Sequence, residues 1–406
     1  MAPPEEDRAF LIILVSSFLT KLGDAIASPK TTLAWLTTVV GAPAYVLGFL
    51  VPIRESGSMI PQLFISGFVR KLPIRKWVWV FGSCGQFLCI AGIGLTAWFL
   101  EGVAAGWAIL VLIALFSLAR CFNSIASKDV LGKAVPKAKR GQLTGWATSA
   151  AGLLSVAVGL VLMLPVTGRL DESLLGTLLV AAGVLWLIAA GIYSQVPEQP
   201  GEIGEGRNPL EALQRLRILL TDQPFRRFVI TRALLMCSAL SAPFYVALAQ
   251  RNYGSPAYLL GAFVVSAGVA SLVSGPVWGR FADVSSKRVM VAAALVTSGT
   301  GIATFIVDKF FPELSATVWF LPVAYFVLSV AHSGVRVGRK TYVVNLATGN
   351  QRTDYVAISN TTIGVLLLMV GSVGLLTPVI TTAGVIGLLA LMGLGGAALG
   401  TSLVAA

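Results

Sequence analysis

Apolar runs of 20 residues or more, separated by short polar breaks, recur from one end of the chain to the other. A helix needs about 20 mostly apolar residues to cross a hydrocarbon core about 30 Å thick. Inside that core only structures that satisfy their own backbone polar groups persist. The runs therefore predict an all-α bundle of membrane-spanning helices. Composition excludes the alternative of two or three soluble domains. Of 406 residues 56% are hydrophobic and 12% charged, with mean hydropathy +0.83, whereas a soluble protein carries about 25% charged residues.

Twelve helices are predicted, over 9–35, 39–69, 75–99, 105–127, 143–166, 173–195, 225–249, 255–279, 288–310, 316–339, 354–378 and 380–403. Several exceed the minimum, which predicts tilt or extension beyond the lipid. Lys and Arg decide the orientation. One side collects Arg8; Arg70, Lys71, Arg75 and Lys76; Lys128, Lys133, Lys137, Lys139 and Arg140; Arg207, Arg215, Arg217, Arg226 and Arg227; Arg280, Lys287 and Arg288; and Arg339, Lys340 and Arg352. These are 21 residues, against Lys30, Arg169, Arg251 and Lys309 on the other side. Cytoplasmic loops carry the basic excess, so a multi-pass protein of the cell (inner) membrane is expected, with both termini cytoplasmic. The net charge of +12 resides in these short clusters, and no continuous polar domain presents it to nucleic acid. Residues 1–8 carry more acid than base and lead into the first run without a small-residue cleavage site, so the first helix is expected to stay.

The longest polar break, 196–224, lies near the middle and divides the chain into a six-helix lobe over 1–195, a central cytoplasmic loop, and a second six-helix lobe over 225–406. Within the break, Leu210, Leu213, Leu216 and Leu220 share one side of a helical repeat, which predicts a short interfacial helix. The lobes read as a duplication. Gly67, Arg75 and Lys76 recur 212 residues on as Gly279, Lys287 and Arg288, and the same offset carries Lys128 to Lys340 and Arg140 to Arg352. Two such lobes can expose a central site alternately by rocking against each other. Gly261, Gly268, Gly275 and Gly279, with Gly371, Gly374 and Gly384, let helices approach closely, either as simple packing or as part of a moving interface.

Residues 279–288, with Gly279, Asp283, Lys287 and Arg288 at their spacing, resemble the signature loop between the second and third helices of a lobe in the major facilitator superfamily. The resemblance covers nearly the whole chain and implies that these residues help to latch the lobes on the cytoplasmic face. Two positions depart from the pattern: Val284 stands at a usually basic site, and Lys71 stands where the first-half copy usually has Asp. Arg120 resembles the membrane arginine of the family's proton-coupled members. The Gly-Pro-x-x-Gly-Gly motif of many drug–proton exporters does not occur around Gly152 and Gly159.

Charge in a membrane span is costly and persists where it faces a cavity or a partner. The candidates for substrate binding or coupling are Lys21, Asp24, Arg54, Glu55, Arg120, Arg232, His332 and Arg336. The family's cavity is lined by its first, fourth, seventh and tenth helices, which would hold all of these except Arg54 and Glu55. Lys21 and Asp24 are spaced for a local pair, and His332 and Arg336 share a helical face. Arg54 and Glu55 are adjacent and are expected to meet different neighbours. In purely structural roles Lys21 would snorkel to an interface, and Arg120 and His332 would hold neighbouring helices. A basic pathway favours an anionic or zwitterionic substrate. For proton coupling Asp24 and Glu55 come first and His332 third.

Several chemistries have no motif. There is no Gly-x-x-x-x-Gly-Lys-Ser/Thr phosphate loop, no H-E-x-x-H and no G-x-S-x-G. Cys84, Cys89, Cys121 and Cys237 lie in apolar runs with no C-x-x-C spacing, so no metal or other cofactor is implied. The chain is therefore expected to be a monomeric secondary-active transporter and not an enzyme. Its substrate is a small organic solute, anionic or amphipathic, moved by alternating access with a proton as coupling ion and efflux favoured. The alternatives are a transporter of lipid or lipid-linked molecules and a non-transporting scaffold or sensor.

Overall fold

A computed structural model describes residues 3–164, 171–201, 203, 215–346 and 351–404, and the described chain is helical throughout. The first half forms α1 (Pro3–Ile26), α2 (Thr32–Val39), α3 (Ala44–Met59), α4 (Gln62–Arg70), α5 (Lys76–Phe99), α6 (Gly102–Ala134), α7 (Lys137–Leu162) and α8 (Glu172–Tyr193). The second half forms α9 (Gln223–Leu234), α10 (Cys237–Leu240), α11 (Ala242–Tyr253), α12 (Ala257–Val284), α13 (Ser286–Phe310), α14 (Phe320–Leu346), α15 (Gln351–Gly371) and α16 (Thr377–Thr401).

Ten helical stretches among the described residues are long and apolar enough to cross a bilayer. Interrupted helices bring the passes to twelve. α3 and α4 make one pass, broken before Gln62 at Pro61. The last stretch, Tyr355–Thr401, is 47 residues long and would reach about 70 Å at 1.5 Å per residue, over twice the hydrocarbon core. It turns back through the 3-10 segment Ser372–Leu376 and at Thr381, whose φ is +68°. There the Thr381 hydroxyl accepts a bond from Gly384 N at 3.2 Å and restarts the helix.

Two breaks alter the expected map. The predicted helix 9–35 is two helices, because Pro29 lacks an N–H and disfavours helical backbone at Ser28. The seventh pass, expected as one helix over 225–249, is interrupted around Met236 and again at Ser241, just before Pro243. Pro29 and Ser241 are separated by the repeat offset of 212 residues, so both lobes break their first pass at the same level. Of the central loop, Arg215–Arg217 form a 3-10 turn and Ile218–Thr221 one helical turn; the expected interfacial helix otherwise lies outside the described residues.

Packing repeats with the sequence. In the first half α5 lies between α6 and α8, and in the second α13 lies between α14 and α16. Phe81, Leu88, Leu95 and Phe99 stay exposed along α5, as expected of a face turned to lipid. The free cysteines are buried, or half-buried at Cys84. The two lobes meet along α7 with α12, α3 with α15, and α2 with α11.

Glycine sets the distance at those meetings. A Cβ on Gly159 would lie 2.8 Å from Val265 N and 2.9 Å from Gly261 O, and one on Gly48 would lie 2.6 Å from Gly371 O. Backbone therefore touches backbone, and Gly374 also abuts Gly48. Gln250 adds a bond from Nε2 to Trp35 O at 3.3 Å, joining α11 to α2. All these contacts lie away from the basic segments 70–76 and 133–140. Toward the basic face α7 and α12 part, and a Cβ on Gly141, Gly145, Gly275 or Gly279 would meet nothing within 4 Å. The lobes are sealed on one face and open a cleft on the other.

Candidate functional site

The break after α1 is where the cavity begins. Asp24, in the last turns of α1, accepts from Arg54 Nη2 of α3 at 2.6 Å. Both its oxygens also accept from Arg120 Nη1 of α6 at 2.6 Å. Arg54 is buried, lies 4.5 Å over the Phe116 ring and reaches the freed carbonyl of Ala27 at 3.5 Å. One carboxylate thus serves two guanidinium groups, and the cluster keeps a net positive charge. The expected local pair between Lys21 and Asp24 does not form: no ion pair within 4.0 Å joins them, because the two arginines take up the carboxylate.

Unwinding at 27–31 also aims Lys30 inward. Lys30, expected at the outer boundary, is instead a cavity residue. Lys30 Nζ lies 2.9 Å from Nε2 of His332, halfway along α14, and His332 Nδ1 lies 3.0 Å from Ser238 Oγ. The contact spans the lobes. A Lys30 ammonium donates to Nε2, so Nδ1 carries the ring proton and donates to Ser238, which in turn donates to Leu235 O at 3.0 Å.

Lys30, Ser238, Ser329, His332 and Arg336 line a cavity of about 170 Å³. A second cavity, about 180 Å³, shares Ser271, Ser333 and Arg336 with it and continues to Lys340. Arg336 projects into both and has no ion-pair partner among the described residues. Arg339, counted in the sequence as a boundary charge, belongs to α14 well before its end at Leu346 and likewise has no ion-pair partner among the described residues. Glu55, on α3, lies within electrostatic reach of Lys30, Arg336, Arg120 and Arg339, yet no ion pair within 4.0 Å forms. Lys21 stands near Arg120 and Arg336.

Arg232 behaves differently. It is buried in α9 and donates to Ser359 Oγ at 2.6 Å and Asn360 Oδ1 at 2.9 Å, both on α15. Its Nε has no hydrogen-bond partner among the described residues. It joins two helices of one lobe through neutral groups.

The signature loops form two corners. In the first lobe the backbone N–H groups of Arg75 and Lys76 donate to the buried Glu198 carboxylate at 2.6–3.0 Å. Arg75 pairs with Asp129, and Lys133 pairs with Asp129 at 2.8 Å and Glu198 at 3.1 Å. Lys76 Nζ holds Val196 O at 2.9 Å. The acids of this corner come from the end of α6 and from the segment after α8, not from position 71. Gly67 sits in α4. In the second lobe Ser285 Oγ accepts from Arg288 N at 3.3 Å, and Lys287 Nζ donates to Leu403 O at 2.5 Å. Gly279 faces open space, and the Asp283 side chain lies outside the described residues.

Two lobes of six passes around a charged cavity are the architecture of a membrane transporter. Such a chain has a known kindred. It belongs to the Major Facilitator Superfamily, whose sequence model matches residues 13–365. Solved structures with the same fold include a D-xylose–proton symporter, at 14% identity and TM-score 0.72, covering 98% of this chain and 97% of that one. A variant of the nucleoside transporter NupG gives 14% and 0.74, covering 97% and 99%. The inward open conformation of the xylose transporter XylE from E. coli gives 15% and 0.72, covering 98% and 96%. At these identities the likeness is one of fold. No curated protein matches the chain.

Proposed function

We propose that this protein is a secondary transporter of small organic anions, working by alternating access. One observation carries the reading: Lys30 from one lobe and Arg336 and Lys340 from the other line the space between them, with Arg339 in electrostatic reach of Glu55, while Asp24 is already held by Arg54 and Arg120. Arginine recognises carboxylate and phosphate oxygens through paired charge-assisted bonds. The sugar and nucleoside in the names of similar structures call for hydrogen-bonding groups and not for net positive charge, so their substrates are not carried over.

We place the basic segments, and with them both termini, in the cytoplasm of the cell that holds the protein in its inner membrane. The lobes then run over 1–195 and 225–406, the cleft faces inward, and a monomer suffices for transport. Export is the direction inferred, on general expectation alone, since a carrier working by alternating access opens to both sides in turn. Glu55 is the proton carrier inferred. Its carboxylate makes no ion pair among the described residues, whereas both oxygens of Asp24 are occupied by guanidinium donors.

Proteoliposomes test these points together. Carboxylate- and phosphate-bearing solutes are expected to move under an imposed pH gradient, with R336Q slowing transport about tenfold at unchanged insertion. Transport of neutral or cationic solutes only would reject the anion reading. Glu55→Gln is expected to abolish the response to the pH gradient while leaving anion exchange, and a retained response would remove Glu55 from coupling.

A further inference from the structure

We infer that the transported solute is a small dianion: a dicarboxylate whose two carboxylates engage one lobe each, or a phosphomonoester whose doubly charged phosphate is shared between the lobes. The inference rests on the anion reading above and narrows it. Three observations meet in it.

Charge is the first. Two acids, Asp24 and Glu55, stand among seven cations in or beside the two cavities: Arg54 and Arg120 bound to Asp24, and Lys21, Lys30, Arg336, Arg339 and Lys340 without an acidic partner within 4.0 Å among the described residues. Seven cations against two acids leave a net charge of +5, and like charges repel strongly at low dielectric. A monoanion relieves this less than a dianion does.

Placement is the second. Glu55 feels the charges of Lys30 and Arg120 from the first lobe and of Arg336 and Arg339 from the second, without an ion pair to any of them within 4.0 Å. Its carboxylate marks a place where one negative group already feels both lobes. A solute with a second negative group has a further cationic wall to meet, from Arg336 toward Lys340 along the adjoining cavity. A monoanion can satisfy only one of the two walls.

Exchangeability is the third. Lys30 donates to an imidazole nitrogen across the lobes, and a charged oxygen is the stronger acceptor. Substrate can therefore take Lys30 from His332 and replace an inter-lobe bond with one that runs through itself. The two cavities, about 170 and 180 Å³, are each below the roughly 300 Å³ at which drug-sized pockets begin. Serine hydroxyls at 271, 329 and 333 are at hand for the remaining oxygens.

The test uses the full chain purified in detergent, with binding read as thermal stabilisation. Probes are paired by skeleton: succinate with its monoamide succinamate, and methyl phosphate with dimethyl phosphate, at a pH where methyl phosphate is doubly charged. In at least one pair the dianion is expected to bind about tenfold more tightly, and the pair that responds tells carboxylate from phosphate. R336Q is expected to remove most of that difference, with R339Q as a second variant should the first fold poorly. Glu55→Gln is expected to tighten dianion binding about threefold or more, by removing a competing carboxylate. Equal binding of both members in both pairs overturns the dianion inference and leaves the anion reading standing. Failure of both dianions to bind overturns the inference too, and if neutral succinamide binds in their place the anion reading falls with it.

Discussion

The two lobes share a backbone plan and differ in where they put charge. The repeat offset carries Asp24, Arg54, Glu55 and Arg120 of the first lobe onto Met236, Ser266, Ala267 and His332 of the second. In reverse, Arg232, Arg336 and Arg339 fall onto Thr20, Ser124 and Ser127. Each lobe keeps its helices together without the charges its counterpart carries. The shared backbone plan therefore does not depend on them, although Asp24 with its two arginines, and Arg232, each tie helices together within their own lobe. The first lobe ties its carboxylate to two arginines in a closed network, while the second leaves Arg336 without an ion-pair partner among the described residues. One half is built to be stable, the other to be available.

Substitutions can break or sharpen that contrast. The largest effect is expected from D24N, which strands the buried Arg54 guanidinium and should cost about 3–5 kcal/mol, read as a drop in melting temperature in detergent. A D24N protein as stable as its parent would end the idea of a closed network. Next comes the corner of the first lobe, where E198Q weakens the acceptor for two backbone N–H groups and Lys133. About 2 kcal/mol is expected. The equivalent corner of the second lobe rests on a backbone carbonyl, so K287M should cost only about 1 kcal/mol by the same measurement. If K287M proves the more damaging, the second corner is held by more than the Leu403 contact. Smallest is R336Q, with no more than about 0.5 kcal/mol, because no partner is left behind, although it is the change expected to weaken substrate binding most.

The fold was legible because apolar length and basic clustering are local signals, and both survive without any knowledge of contacts. The pairing of lobes was legible too, since Gly67 and Gly279 head the same pattern. What stayed hidden depends on chain reversal. Glu198 follows Arg75 by 123 residues, and only the packing of α8 against α5 makes it a cap; in the sequence it reads as part of a linker. Lys30 was misplaced for a different reason. Counting charges at helix ends assumes that the first pass continues to residue 35, whereas Pro29 ends it mid-membrane and turns a boundary lysine into a cavity one. Arg232 was visible as a buried cation, but its partners Ser359 and Asn360 carry no charge that would single them out.

The broken first passes have a mechanical consequence. A continuous rod from Pro3 to Val39 would measure about 55 Å and would carry any tilt at the basic end straight to the other. With joints near Pro29 and Ser241 the tips α2 and α11 can remain clasped through Trp35 and Gln250 while the inner segments swing. The seal and the swinging parts are then separate pieces of machinery threaded on one strand of chain, and the lysine that watches the cavity sits in the hinge itself.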